Sequence, residues 1–236
     1  MSSPDHAIMP AKFSNALMAS FIASDGTAAK LLVDQSTNVS AATTTAPKIC
    51  GGCTLMDLTA SSTDSVGKDF QFYDGTVLST VGASTGTVTF TSSTIARAVG
   101  SWITDGWTPG DLVMSFSLTA AGIATARVAG QDGVLGIVTG VTATTITVNG
   151  TPFTAGAAPS GMRICQVAPL YRATIPAGAG QNPTIQSLKL LGSGFDGSTM
   201  KLERKFGPND IFAVAPVTAV SALPAVVAFA PKIALY

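Results

Sequence analysis

"GSWITDGWTPGDLVM", residues 100–114, holds both tryptophans of the chain, Trp102 and Trp107, among glycine and proline breaks. The same residues could form an exposed aromatic platform or a turn packed between strands, and the choice decides the fold. The turn reading accounts for more of them. Trp102 and Ile103 end one strand, Asp105 and Gly106 supply a turn in which glycine tolerates positive φ, and Pro109, Gly110 and Asp111 set a second turn before Leu112, Val113 and Met114. Each indole can bury roughly 150–250 Å². Trp102 and Trp107 are therefore expected to pack in a small core. Aspartate is ordinary at turn positions, so Asp105 and Asp111 read as turn residues rather than as an acid–base pair.

Outward from this stretch, a period of two dominates. "TVTFT" at residues 87–91 alternates Thr with Val88 and Phe90, "TTITV" at residues 144–148 alternates Thr with Ile146 and Val148, and "DFQFY" at residues 69–73 sets Phe70 and Phe72 on one face. Turn signals fall between such runs: Asp25-Gly26, Asp74-Gly75, Asp132-Gly133 and Asn149-Gly150, the last read as a hairpin turn. This rhythm predicts an all-β fold, a β-sandwich with few or no helices. Helical spacing is confined to residues 12–24, through Phe13, Leu17 and Phe21, where a strand reading competes, and to a short candidate turn within residues 197–207. Residues 213–236 are apolar enough to approach transmembrane length, but Pro216, Pro224 and Pro231 interrupt them, and short strands separated by proline turns are expected instead of a membrane span.

Charge excludes several function classes. The 13 basic and 13 acidic residues cancel, so no global field draws the chain to nucleic acid or acidic lipid. Charged residues make up 11% of the chain, against roughly 25% in ordinary soluble domains. Ser, Thr, Gly and Ala replace them, and a surface of small neutral groups costs little to desolvate against a neighbouring subunit. The first twenty residues carry "SPDH" and "MPAK" where a secretory signal needs an apolar core.

No constellation of catalytic groups emerges. The one histidine, His6, sits in a proline-flanked N-terminal stretch with no nucleophile pattern around it. "GSGFDG" at residues 192–197 matches the dinucleotide fingerprint in letters, but the segment after it, "STMKLERKFGPND", is too short for the crossover helix, so it reads as a glycine-rich loop. Cys50 and Cys53 have the spacing of half a zinc site. Completing it would recruit Cys165 and His6 and use every Cys and His in the chain; reduced cysteines are the simpler expectation. Neither enzymatic activity nor a cofactor is expected.

The run "TVTFTSSTIARAVGSWITDGWTPGDLV" at residues 87–113, followed by "VTGVTATTITV" at residues 138–148, resembles a β module of tailed-bacteriophage structural proteins. In that module an alternating strand, an I-x-D-G-aromatic turn with a later G-D, and a final V-T-A-T-T-apolar-T-V strand succeed one another. Here the turn is Ile103, Asp105, Gly106, Trp107, Gly110 and Asp111, and the closing strand is residues 141–148. "LTASSTDSVGKDFQFYDGTVLS" and "PLYRATIPAGAGQ" look like the outer sandwich of phage head or tail proteins. The expected organisation is an N-terminal arm of residues 1–13, an outer β-sandwich built from residues 14–80 and 166–236, and an inserted β-barrel or β-sandwich module of residues 81–165. The resemblance implies a virion protein assembled in the bacterial host cytoplasm, with the major capsid protein and copies of itself as partners in a large symmetric homo-oligomeric assembly. Capsid decoration is the expected role, with a tail tube subunit as the alternative and a carbohydrate-binding β-sandwich as the competitor from another class. Ile8, Met9 and Phe13 in the arm, and Phe229, Ile233 and Tyr236 at the other end, are the candidate subunit contacts.

Overall fold

The computed structural model describes residues 12–15, 19–22, 30–34, 53–62, 64–117, 130–178, 184–188, 204–206, 209–217 and 226–235. Strands account for the regular structure among them, and no helix occurs there. In chain order these are Lys12–Asn15 (β1), Ala19–Ile22 (β2), Lys30–Asp34 (β3), Cys53–Ser62 (β4) and Lys68–Thr80 (β5). Val88–Phe90 (β6), Thr94–Arg97 (β7), Leu112–Phe116 (β8), Gly136–Val141 (β9), Thr145–Val148 (β10) and Gly156–Ala157 (β11) follow. Arg163–Ile175 (β12), Thr184–Leu188 (β13), Arg204–Phe206 (β14), Asp210–Pro216 (β15) and Val226–Leu235 (β16) complete the set.

A ten-stranded antiparallel sheet runs β11-β6-β7-β10-β9-β8-β12-β5-β15-β3 and curls into a half-barrel. A six-stranded sheet is built around β16 and β4, with β1 and β2 on the far edge of β16 and β13 and β14 on β4. The expected boundary after Thr80 falls at the end of β5, and the one after Cys165 falls inside β12. One continuous sheet therefore joins β6 to β11, which lie in the expected inserted module, to β5, β15 and β3 of the expected outer segment, through β12.

Alternation sorts side chains into two cores. On β8, Val113 points into a cluster with Trp102, Trp107, Ile95, Ile146 and Phe90, whereas Met114 and Phe116 point to the opposite face with Tyr73, Cys165 and Ile211. β12 repeats the division: Ile164 faces the first cluster, Cys165 and Val167 the second. β5 and β15 are apolar on both faces. Phe72 stacks on Phe212 at 5.8 Å on one side, while Tyr73, Ile211 and Ala213 fill the other. Burial on both faces is why residues 211–216 read as a continuous apolar run instead of an alternating one.

Several turn and helix expectations are corrected. Asp74-Gly75 is no turn but the middle of β5, where a Cβ on Gly75 would meet Gln166 O at 2.7 Å and Val167 Cγ1 at 2.8 Å. The glycine is there for close strand approach. Asn149-Gly150 does not close a two-residue hairpin: β10 pairs with β7 and β9, and the chain goes on to β11, which pairs with β6. The stretch read as one closing strand, residues 141–148, is the end of β9, a turn in which the Thr145 N–H bonds Thr142 Oγ1 at 2.9 Å, and β10. The helical spacing of residues 12–24 resolves into β1 and β2, because both find a ladder on β16 and tertiary pairing outweighs a weak local preference. Likewise Arg204–Phe206, in the second helical candidate, is a strand on β4.

Pro216, Pro224 and Pro231 were expected to separate strands, yet Pro216 ends β15 and Pro231 lies inside β16; Pro224 is outside the described residues, and Pro169 likewise lies inside a strand, β12. In each case a neighbour has run out. Pro169 lies beyond the last pairing of β8 with β12, Pro216 beyond that of β3 with β15, and Pro231 in the gap between the β1 and β2 pairings on β16. A residue without an N–H is tolerated where the ladder on one side is interrupted.

Candidate functional site

Residues 98–111 connect β7 to β8, and the tryptophan stretch lies in this loop rather than ending a strand. The loop is held by a buried arginine. Arg97, at the inward position of β7 two residues after buried Ile95, is 6% exposed. Its guanidinium lies 4.4 Å from the Trp102 ring centroid, donates from Nη1 to Asp105 Oδ2, from Nη2 to Ser84 O at 3.0 Å, and from Nε to Val99 O at 2.5 Å. Ser79 Oγ, reaching over from β5, donates to the same Asp105 oxygen. A planar fork that stacks on an indole while satisfying three acceptors is chemistry specific to arginine.

The loop also docks on the β9–β10 turn. Trp102 N–H donates to Ala143 O at 2.9 Å, Trp102 Nε1–H to Thr144 O at 3.2 Å, and Arg97 N–H to Thr144 O at 2.9 Å. Two sequence stretches separated by about forty residues thus meet at one point. Trp102 is fully buried and Trp107 is 2% exposed, whereas Ile103 at the loop tip is 59% exposed. Gly100 has φ +83° and its missing Cβ would overlap the Arg97 guanidinium, so glycine is required there twice over. Asp111 caps the second turn by accepting from Thr108 N–H at 2.7 Å, and Gly110 N–H, at φ +99°, donates to Val138 O at 2.8 Å.

The other sequence candidates lie elsewhere. Cys165 is wholly buried in the second cluster, and burial pushes its thiol up to about 12, which keeps it neutral and a poor nucleophile or metal ligand. Cys53 is the first residue of β4; Cys50 and His6 lie outside the described residues. No group of three or more His, Cys, Asp or Glu is placed to hold a metal among the described residues. Phe13 is in β1, and Phe229 and Ile233 are in β16, which pair with strands of the same chain; Ile8, Met9 and Tyr236 are outside the described residues. A cleft of about 490 Å³ between β5, β12 and the start of β8 is lined by Asp74, Thr76, Asp111 and Gln166 but by no Lys, His or Cys.

Arg97, Ser79 and Thr144 were missed by sequence reasoning. A signal existed for Arg97 alone: in "TIAR" it occupies the same parity as Ile95, a cation at an apolar position with an aspartate eight residues on.

Beyond the loop, the outer face of β6, β7, β10 and β9 is made of one kind of surface. Thr89, Ala96 and Thr145 form one row across β6, β7 and β10, and Thr94, Thr147 and Gly140 form the next across β7, β10 and β9. Thr91, Thr139 and exposed Ile137 extend it. No charged side chain lies on these outward positions, since Arg97, the one charged residue of the four strands, points inward.

Among the described residues, fold and site together define an all-β protein in which a curled antiparallel sheet carries an arginine–tryptophan lock in its β7–β8 loop and presents a neutral threonine face on β6, β7, β10 and β9. Comparison with protein-family models, with curated proteins and with solved structures gives no match to this chain.

Proposed function

We propose that this chain is a structural component of a tailed-bacteriophage virion that decorates and stabilises the capsid by bridging neighbouring subunits. One observation carries the reading: the charge-free Thr, Ala and Gly rows on the outer face of the half-barrel. Each threonine offers a methyl for contact and a hydroxyl that a partner backbone can satisfy, and neutral groups lose far less hydration free energy on burial than charges do. The likeness of residues 87–113 and 138–148 to a phage β module points the same way. In this reading the partners are the major capsid protein and copies of the chain itself, within a virion assembled in the bacterial host cytoplasm. Shell stabilisation follows from mass action, because opening a seam must break the bridging contacts as well. No catalytic step or cofactor is invoked.

The test mixes purified protein with phage capsids assembled without it, and follows binding by sedimentation and electron microscopy. Wild type is expected to bind the preformed shell and raise its melting temperature, and Thr147→Glu to lose binding while keeping its own melting temperature. Stacked rings or tubes formed without capsids would replace decoration with a tail tube role. Equal binding by Thr147→Glu would remove the threonine face from the interface.

A further inference from the structure

We infer that Asn149-Gly150 is a self-modification site at which the folded protein deamidates without an enzyme. The chemistry needs an asparagine carboxamide and the amide nitrogen of the next residue to meet unhindered. This is the one Asn-Gly pair in the sequence.

Both residues are exposed where the chain leaves β10. Gly150 has φ +69°, and nothing lies within 4 Å of the place where a Cβ would be. The Asn149 N–H is fixed by Ile137 O at 2.8 Å, so the backbone before the reacting bond is held. By contrast, the Asn149 carboxamide and the Gly150 N–H make no hydrogen bond among the described residues, and no bond closes the turn around them. Electrophile and nucleophile are both available, and the glycine leaves the peptide free to rotate into attack.

The other asparagines differ. Asn182 precedes Pro183, which has no N–H to attack with. Asn209 precedes Asp210, the first ladder residue of β15, and its carbonyl accepts from Val77 N–H at 2.8 Å. Asn15 and Asn38 precede residues with side chains, Ala16 and Val39.

In the reaction the Gly150 nitrogen, its proton lost to hydroxide, bonds to Asn149 Cγ. The Cγ–Nδ2 bond breaks and ammonia leaves, closing a five-membered succinimide. Water then adds to the ring. Opening at the bond from Cγ to nitrogen gives aspartate, and opening at the bond from the residue 149 carbonyl carbon to nitrogen gives isoaspartate, whose backbone runs through Cβ. Either product places a carboxylate two residues from Thr147, and a formally neutral protein becomes anionic.

The experiment incubates purified full-length protein, and separately a synthetic peptide of residues 145–154, in mildly alkaline buffer. Peptide mapping by tandem mass spectrometry follows the exchange of amide NH2 for OH, and isoaspartyl methyltransferase labelling detects the isomer. The folded protein is expected to convert at residue 149 within several-fold of the free peptide's rate, with both isomers present, and Asn149→Gln is expected to abolish the signal. Conversion of the peptide but not of the folded protein, conversion of neither, or conversion mapped to another asparagine would overturn the inference. These outcomes are independent of whether the protein binds capsids.

Discussion

Arg97 shows how a residue that a simple pattern would send outward comes to organise a loop. Its stem follows the inward parity of β7, and its head finds Asp105, Ser84 O, Val99 O and the Trp102 face. Arg97→Ala should cost about 3 kcal/mol, because it strands the partly buried Asp105 carboxylate and uncovers the indole. Arg97→Lys should lose less than Arg97→Ala but not restore wild type, since an ammonium cannot serve three acceptors in one plane. Urea denaturation followed by tryptophan fluorescence measures both. Asp69 gives the pH dependence. Hydrogen bonds from Thr174 and Arg172 hold its carboxyl below the usual aspartate range. A depressed folded value means that the unfolded chain takes up the proton first as pH falls, so this contribution is present above the unfolded value and lost as pH drops through the folded one. The melting-temperature gap between wild type and Asp69→Asn should therefore be present at neutral pH and vanish in acid.

β5 is the strand around which the others are arranged, paired along its length with β12 on one side and over residues 70–76 with β15 on the other. Its sequence is legible as a strand in "DFQFY" and misleading in "DG". The dipeptide that most often marks a turn sits here at the closest approach of β5 to β12, where an added methyl would meet a carbonyl oxygen and two side chains. Gly75→Ala should destabilise by about 2 kcal/mol through overpacking, with the denaturant midpoint reduced and the slope unchanged. The same change in a true turn would act through positive φ instead. The tryptophan loop carries the reverse lesson. Residues 100–114 were legible as turns with buried indoles, but the strand expected at Trp102 ends at Arg97. The hydrogen bonds that order the loop go to Ala143 and Thr144, and nothing local in the loop's own sequence specifies such a remote partner.

Across the molecule, protection against hydrogen exchange should follow sheet position. Amides of β5 over residues 70–76 and of β12 over residues 163–167 have neighbours on both sides and apolar clusters on their faces, and are expected to exchange last, through global unfolding. The two-residue edge strand β11 should exchange early; exchange mass spectrometry reads both. The all-β class was determined by the sequence alone, because alternation of threonine with Val, Ile or Phe leaves one buried face and one wet face only at a period of two. The neutrality of the outer face of β6, β7, β10 and β9 was likewise set by composition, since few charged residues were available to place there. Which strands became neighbours, whether Asp-Gly meant a turn or a tight crossing, and that Arg97 would lie on Trp102 were decided only in the tertiary structure. These depend on contacts between residues far apart in the sequence, and their energies come from burial and ladder pairing that no local window contains.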